Sequence, residues 1–221
     1  MRPSVTVLQL DTHFPRIAGD VGAAETYIDD IEIIRVSGAS VAGIVTASPE
    51  GIDIAPFEEA LKAAKGDVIV TSCGFLSYWQ DHLEAQARRP IICSSLVALN
   101  RLKDYNIENL AILTYDATKL GPHHLGQYTR FAPCIIGLDP AAHLRAVIGG
   151  GALTLDATRA AHETVETVRA QTTDSLRTLV LECTNLPPYK AALAAAFDVQ
   201  IIDILTEIER VRTGTIRPKF L

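Results

Sequence analysis

The feature that most constrains this chain is a strand-like run ending on a cysteine, and it occurs twice. Residues 66–78 read GDVIVTSCGFLSY and residues 177–189 read RTLVLECTNLPPY. Each opens on a Val-, Leu- or Ile-rich stretch, as expected of a strand buried on both faces. Each then reaches a cysteine, Cys73 or Cys183, followed by small or polar residues, Gly74 or Thr184-Asn185, and a helix-like segment. Both thiols are thereby predicted at the carboxyl end of a strand and beside a helix N-terminus, the edge at which open α/β sheets bind ligands. Free N–H groups and the helix dipole favour a thiolate there. The two cysteines lie 110 residues apart, one near the end of each half. The economical expectation is two similar lobes, each presenting one thiol to a shared cleft. Two facing thiols suit a reaction in which one removes a proton and the other returns it from the opposite side.

The remaining strand and helix signals alternate, which predicts an α/β fold with mainly parallel sheets. Strands are expected at residues 5–10, 31–36, 91–94, 109–114 and 200–204, besides the two that end on Cys73 and Cys183. Phe57, Ala60, Leu61 and Ala64 follow the spacing of an amphipathic helix, as do Ala157, Ala161, Val165 and Val168. Residues 1–96 with 200–221 are read as the first lobe and residues 97–199 as the second, the helix at about 205–213 returning to pack on the first. Cys93 and Cys134 read as small core residues. His123-His124, in a Gly/Pro-bearing loop, reads as exposed, and Gly149-Gly150-Gly151 as a connector between helices.

Composition narrows the function. A net charge of −6 with scattered Lys and Arg argues against an extended phosphate-binding surface, so a nucleic-acid partner is not expected. No apolar run approaches the length of a membrane span. Met1-Arg2-Pro3-Ser4 leads straight into a strand-like run, which suggests a cytoplasmic protein with reduced thiols. No CxxC pair, HExxH helix or zinc-spaced His/Cys cluster is present, and no GxGxxG or Walker pattern. A metal site is therefore not expected, an NAD-binding reading is weakened, and the natural partner is a small molecule.

The loop after the first strand, DTHFPRIAGD, supplies Asp11, Thr12 and Arg16 to the same rim. Arg16 can bind a carboxylate bidentately, or it can form an ordinary surface pair with Asp20. His13, Phe14 and Phe75 can line a pocket for a bulkier acid. Thr114, ending the first strand of the second lobe, is placed on the same cleft rim as Asp11 and Thr12, or serves as a turn residue.

With these residues in hand the chain resembles the aspartate/glutamate/hydantoin racemase superfamily. The resemblance rests on Thr71-Ser72-Cys73-Gly74 in one half and Glu182-Cys183-Thr184-Asn185 in the other. It implies two pseudo-symmetric α/β lobes with the active site between them, no cofactor, and Cys73 and Cys183 as the catalytic pair. Asp11-Thr12 resembles the acidic loop in which that family places a residue supporting the pair. Gly74 stands where glutamate racemases typically carry Asn, and Asn185 where they often carry His, which sets this chain on a separate branch. The implied reaction is racemisation or epimerisation of an amino acid or hydantoin beside a carboxylate or carbonyl. Donors to the enolate-like intermediate would come from the backbone after each cysteine, with Thr184 and Asn185. Maleate isomerases and arylmalonate decarboxylases are similar, and a ligand-binding protein on the same scaffold is the reading from a different class. A homodimer is in keeping with the resemblance.

Overall fold

Two four-stranded parallel sheets carry the chain, and the second repeats the first. The computed structural model describes residues 3–221; Met1 and Arg2, expected to lead into the first strand, lie outside the described residues. The first sheet has the order β2-β1-β3-β4, from β1 (Val5–Leu10), β2 (Ile31–Val36), β3 (Val68–Thr71) and β4 (Ile91–Ile92). The second has the order β6-β5-β7-β8, from β5 (Leu110–Thr114), β6 (Ile135–Gly137), β7 (Thr178–Leu181) and β8 (Gln200–Ile202). Every neighbour is parallel. The equivalent inner strands β3 and β7 are fully buried, which is why they read as continuous apolar runs. This is the two-lobed α/β architecture predicted from the cysteine repeats.

Among the described residues eight α-helices connect and cover the sheets: α1 (Val41–Ile44), α2 (Ala55–Ala63), α3 (Gln80–Gln86), α4 (Pro122–Leu125), α5 (His143–Ile148), α6 (Ala157–Gln171), α7 (Lys190–Ala196) and α8 (Ile204–Val211). Helix α2 buries Phe57, Ala60 and Leu61, three of its predicted stripe, and carries Pro56 in its first turn, where the missing N–H is not needed. In α6 the buried line is rotated from the predicted one: Ala160, Thr164, Thr167 and Val168 face inward, while Ala157 is exposed. A threonine can take a core position there because Thr164 Oγ1 donates to Ala160 O at 2.7 Å, satisfying its hydroxyl inside the helix. The glycine run does separate α5 from α6.

Two boundaries differ from expectation. Gln200–Ile202 pairs with β7 and so belongs to the second sheet, not the first lobe. The crossing comes one residue later. Asp203 caps α8 by accepting from Thr206 N, and Ile204, Leu205 and Ile208 then pack against Val5, Val7, Val68, Val70 and Ile92 under the first sheet. At the other boundary, β4 stops at Ile92 because the carbonyl of Cys93 turns to accept from Thr71 Oγ1, and Ser94 caps the 3-10 helix Ser95–Asn100.

The lobes share a core. Leu110, Ile112, Val180 and Ile202 of the second sheet pack in one cluster with Leu8, Ile69 and Leu96 of the first lobe. Ser95 Oγ donates to Leu181 O at 2.8 Å, and Thr184 Oγ1 donates to Ser72 O at 2.7 Å, so each cysteine segment is tied to the opposite lobe. Among the described residues no helix is long and apolar enough to cross a membrane.

Candidate active site

Both cysteines follow the last residue of their strands by the same short step, and the twofold similarity of the sheets brings them to one cavity. It is narrow and largely apolar, with about 360 Å³ of space not filled by atoms, its mouth included. Leu10, Phe14, Val41, Val45, Phe75, Tyr115 and Ile148 form its apolar wall; Thr12, Arg16, Ser72, Cys73, Gly74, Glu182, Cys183, Thr184 and Asn185 supply the polar groups. The predicted residues Thr12, Arg16, Gly74, Phe75, Thr184 and Asn185 therefore meet the two thiols.

Two predicted residues do not reach the cavity. Asp11 turns outward, where its carboxylate lies 3.7 Å from Arg35 and accepts from Gly38 N. Thr114 is not on the rim but wholly buried beneath it, its hydroxyl donating to Glu182 Oε2 at 2.5 Å. Its β-strand ends one residue short of the cavity wall, so the next residue, Tyr115, lines the space instead. The His123-His124 pair also divides: His123 is exposed, but His124 is buried, with its ring edge-on to Phe75 at 5.1 Å. Behind the cavity wall its desolvated ring is held mostly neutral, with a pKa lowered to about 4.

Arg16 and Asp20 form an ion pair, but an inward one. Arg16 Nη1 donates to Asp20 Oδ1 at 2.8 Å, with the two side chains only 9% and 4% exposed. Arg16 Nη2 donates to Thr12 Oγ1, and Asn185 Nδ2 donates to Asp20 Oδ2 at 2.6 Å. The Arg16 guanidinium lies 4.5 Å over the Phe14 ring, a cation–π contact that fixes both. Thr184 thus spends its hydroxyl donor on the Ser72 carbonyl, and Asn185 turns an amide N–H to Asp20. They build the site, and donors to a bound carboxylate remain on Arg16 and on the backbone beside the cysteines.

The thiols are buried, 9% exposed at Cys73 and 7% at Cys183. Their pKa values rise, where the sequence had suggested that helix N-termini would lower them. Burial pushes Cys73 up to about 12, and the charge of Glu182 adds to it; the Phe75 N–H and Arg16 oppose this. Cys183 is raised well above the ordinary thiol range, by burial and then Glu182, against the Asn185 N–H. The helices that follow are 3-10 turns, Gly74–Trp79 and Pro187–Tyr189, too short and irregular for their dipoles to offset desolvation.

Glu182 is the buried, cavity-lining acid that sequence reasoning passed over. It is wholly buried, its Oε2 takes the Thr114 hydroxyl, and its Oε1 has no hydrogen-bond partner among the described residues. Burial raises its pKa to about 7. The available signal was a single acid, continuing an otherwise apolar strand directly into Cys183. Among the described residues no cluster of three or more His, Cys, Asp or Glu side chains is arranged to hold a metal ion.

No protein-family model matches the chain. It is 29% identical over 224 residues to dimethylsulfoniopropionate lyase 7 of Emiliania huxleyi, covering 92% of this chain and 64% of that protein. It is 26% identical over 235 residues to the dimethylsulfoniopropionate lyase of Durusdinium sp. clade D, covering 98% and 77%. The chain thus spans about two thirds to three quarters of the length of these two relatives. Among solved structures it resembles glutamate racemase from Francisella tularensis subsp. tularensis SCHU S4, with a TM-score of 0.54 at 15% identity over 95% of this chain and 78% of that one. Picrophilus torridus aspartate racemase gives 0.52 at 11% identity, covering 98% and 97%. Unliganded arylmalonate decarboxylase gives 0.52 at 12%, covering 98% and 96%. The fold is the two-lobed α/β fold of the aspartate/glutamate racemase superfamily, and these sequence relatives and structural neighbours are all enzymes.

Proposed function

We propose that the protein is an enzyme that removes a proton from the carbon beside a carboxylate, using a site thiol as the base, and that it completes the reaction as a lyase. The observation that carries the proton-transfer step is the meeting of Cys73 and Cys183 in one buried cavity. Loss of such a proton leaves an enediolate, whose charge needs fixed donors in a water-poor site. Arg16 and the backbone N–H groups following the cysteines are the donors placed there.

What happens next depends on the substrate. With a leaving group on the adjacent carbon, the electron pair of the broken C–H bond forms a C=C bond and the leaving group departs. For dimethylsulfoniopropionate the C–S bond breaks, its electrons stay on sulfur, and the products are neutral dimethyl sulfide, acrylate and one proton. The relatives spanning 92–98% of this chain support that exit. So does the wall of Phe14, Phe75 and Tyr115, since aromatic faces attract onium cations. The second reading is racemisation of an amino acid, supported by the presence of two thiols where an elimination requires one base.

Incubation in deuterated water with dimethylsulfoniopropionate, aspartate, glutamate and substituted hydantoins separates these readings. Release of dimethyl sulfide and acrylate, lost in Cys73→Ser or Cys183→Ser, supports the lyase. Loss of the Cα–H signal of an amino acid without elimination moves the assignment to a racemase. No turnover of any of them, with both thiols inert to alkylation, removes the enzymatic reading.

A further inference from the structure

We propose that Glu182 takes up the proton that a site thiol gives up, so that Cys73 or Cys183 becomes a thiolate while Glu182 becomes a carboxylic acid. The inference rests on the thiol-as-base reading above and deepens it, naming the group that makes the base.

One carboxylate acts electrostatically on both thiols from within their cavity, with no hydrogen bond to either before the proton moves. Glu182 precedes Cys183 directly in the chain. Its Oε1 also lies so close to Gly74, the residue after Cys73, that a β-carbon there would overlap it. One carboxylate oxygen is held by Thr114; the other is buried and unpartnered, and the residue lines the thiol cavity. An unpartnered carboxylate oxygen beside two buried thiols is costly unless it is used. The other groups acting on the pair offer no competing base: Cys183 Sγ donates to Asn185 Oδ1 at 3.8 Å, but a neutral amide oxygen does not take up the proton. Arg16 acts on Cys73, Asp20 on Cys183, and Asp20 is already bonded to Arg16, Gly22 N and Asn185. Tyr115 and Tyr189, also near Cys183, have hydroxyls that burial keeps protonated. No charged side chain neutralises Glu182; burial raises its pKa and only the Thr114 hydroxyl opposes this.

The step balances without a further reactant. The thiol S–H bond breaks, its electron pair stays on sulfur, and the proton bonds to Glu182 Oε1. The site keeps a single negative charge, moved from carboxylate to sulfur. The thiolate then takes the substrate proton and becomes a thiol again. In an elimination, the proton left on Glu182 is the one the overall reaction releases to solvent.

Two coupled acids that share one charge have a distinctive titration. Iodoacetamide alkylation, read separately at Cys73 and Cys183 by peptide mass spectrometry, is followed from about pH 5.5 to about pH 10, a range that spans the ordinary thiol pKa. In the wild type the logarithm of the rate at the thiol coupled to Glu182 should climb, flatten above about pH 7, where Glu182 ionises, and climb again at alkaline pH. In Glu182→Gln the flat region disappears and alkylation above pH 7 is faster, because no carboxylate charge opposes the thiolate. Glu182→Asp keeps the flat region. Thr114→Val, which retains Glu182 but removes its hydrogen bond, moves the flat region to higher pH and serves if Glu182→Gln fails to fold. A wild-type rate that climbs through pH 7 without a break at both cysteines, and overlays Glu182→Gln, overturns the proposal.

Turnover gives the second readout. Release of dimethyl sulfide from dimethylsulfoniopropionate should fall roughly 100-fold or more in Glu182→Gln, the usual scale for losing a proton-transfer partner. It falls although the thiols ionise more easily. Unchanged or faster release overturns the proposal, since a bystander charge would only hinder the thiolate. If the wild type does not turn over this substrate, the lyase reading fails, and the alkylation profile alone decides Glu182.

Discussion

Gly74 and Glu182 are fitted to one another across the lobe boundary. A β-carbon added at Gly74 would overlap the Oε1 and the carbonyl oxygen of Glu182 and lie 2.8 Å from its Cδ. The backbone of the first cysteine segment can approach the carboxylate only because residue 74 has no side chain. Gly74→Ala should therefore destabilise the protein by about 1–3 kcal/mol, the range for overpacking a closed interior. Adding Glu182→Ala should recover only part of this, because the carbonyl oxygen stays in place. Urea unfolding of the single and double variants measures it; an Ala at 74 that leaves the midpoint unmoved contradicts the fit.

The Arg16–Asp20 pair should behave as a buried ion pair. Asp20→Ala leaves a guanidinium that is 9% exposed without its counter-charge. Breaking a buried pair by removing one partner costs about 3–5 kcal/mol. Asn185→Ala removes one charge-assisted hydrogen bond to Asp20 and should cost about 1.5–3 kcal/mol. The double variant should lose less than the two together, since both act through Asp20. Strict additivity in denaturant melts would argue that Asn185 does not act through Asp20.

These pairings explain how far the sequence could be read. The strands ending on Cys73 and Cys183 are local patterns, runs of apolar residues followed by small or polar ones, and the repeat itself predicted that the two ends meet. Asp20 was legible only as a neighbour of Arg16. It is interior because Asn185, 165 residues away in the chain, closes over it. Glu182 was written in the second cysteine motif, yet nothing local distinguishes a solvated acid from one facing Gly74 of the other lobe. Thr114 was placed near the site but one layer too high, because the position at which a strand ends relative to a cavity depends on the neighbouring sheet. Residues 200–202 looked like part of the returning segment, and only their register with β7 assigns them to the second sheet.

Two buried titratable groups near the cavity, His124 and Glu182, should tilt stability with pH in opposite directions. His124 has a folded pKa lowered to about 4 from an ordinary 6.5, chiefly by burial. Its contribution is present above about pH 6.5 and is lost as pH falls toward 4, because the unfolded chain then binds the extra proton. His124→Asn, which keeps an acceptor for Gly121 N, should lose less stability than the wild type on acidification across this window.

Glu182 runs the other way. Its folded pKa is raised to about 7 from an ordinary 4.5 by burial. Between these values the folded protein holds a proton that the unfolded chain has released, so stability falls as pH rises and levels off above about 7. The scale is ~3 kcal/mol at most, from ~1.4 kcal/mol for each pH unit of displacement. Glu182→Gln carries no charge at any of these pH values. It should be close to the wild type at about pH 4.5 and more stable by up to that amount at about pH 8. In the wild type the two slopes largely offset one another across pH 4.5–6.5, so its own profile there is shallow. The single variants separate them: Glu182→Gln exposes the acid-side loss due to His124, and His124→Asn exposes the loss due to Glu182 as pH rises. Chemical unfolding of the three proteins at half-unit pH steps tests this. Parallel profiles for all three would mean that neither group is buried in the protonation state assigned to it. A variant slope of the opposite sign would reverse the assignment for that residue.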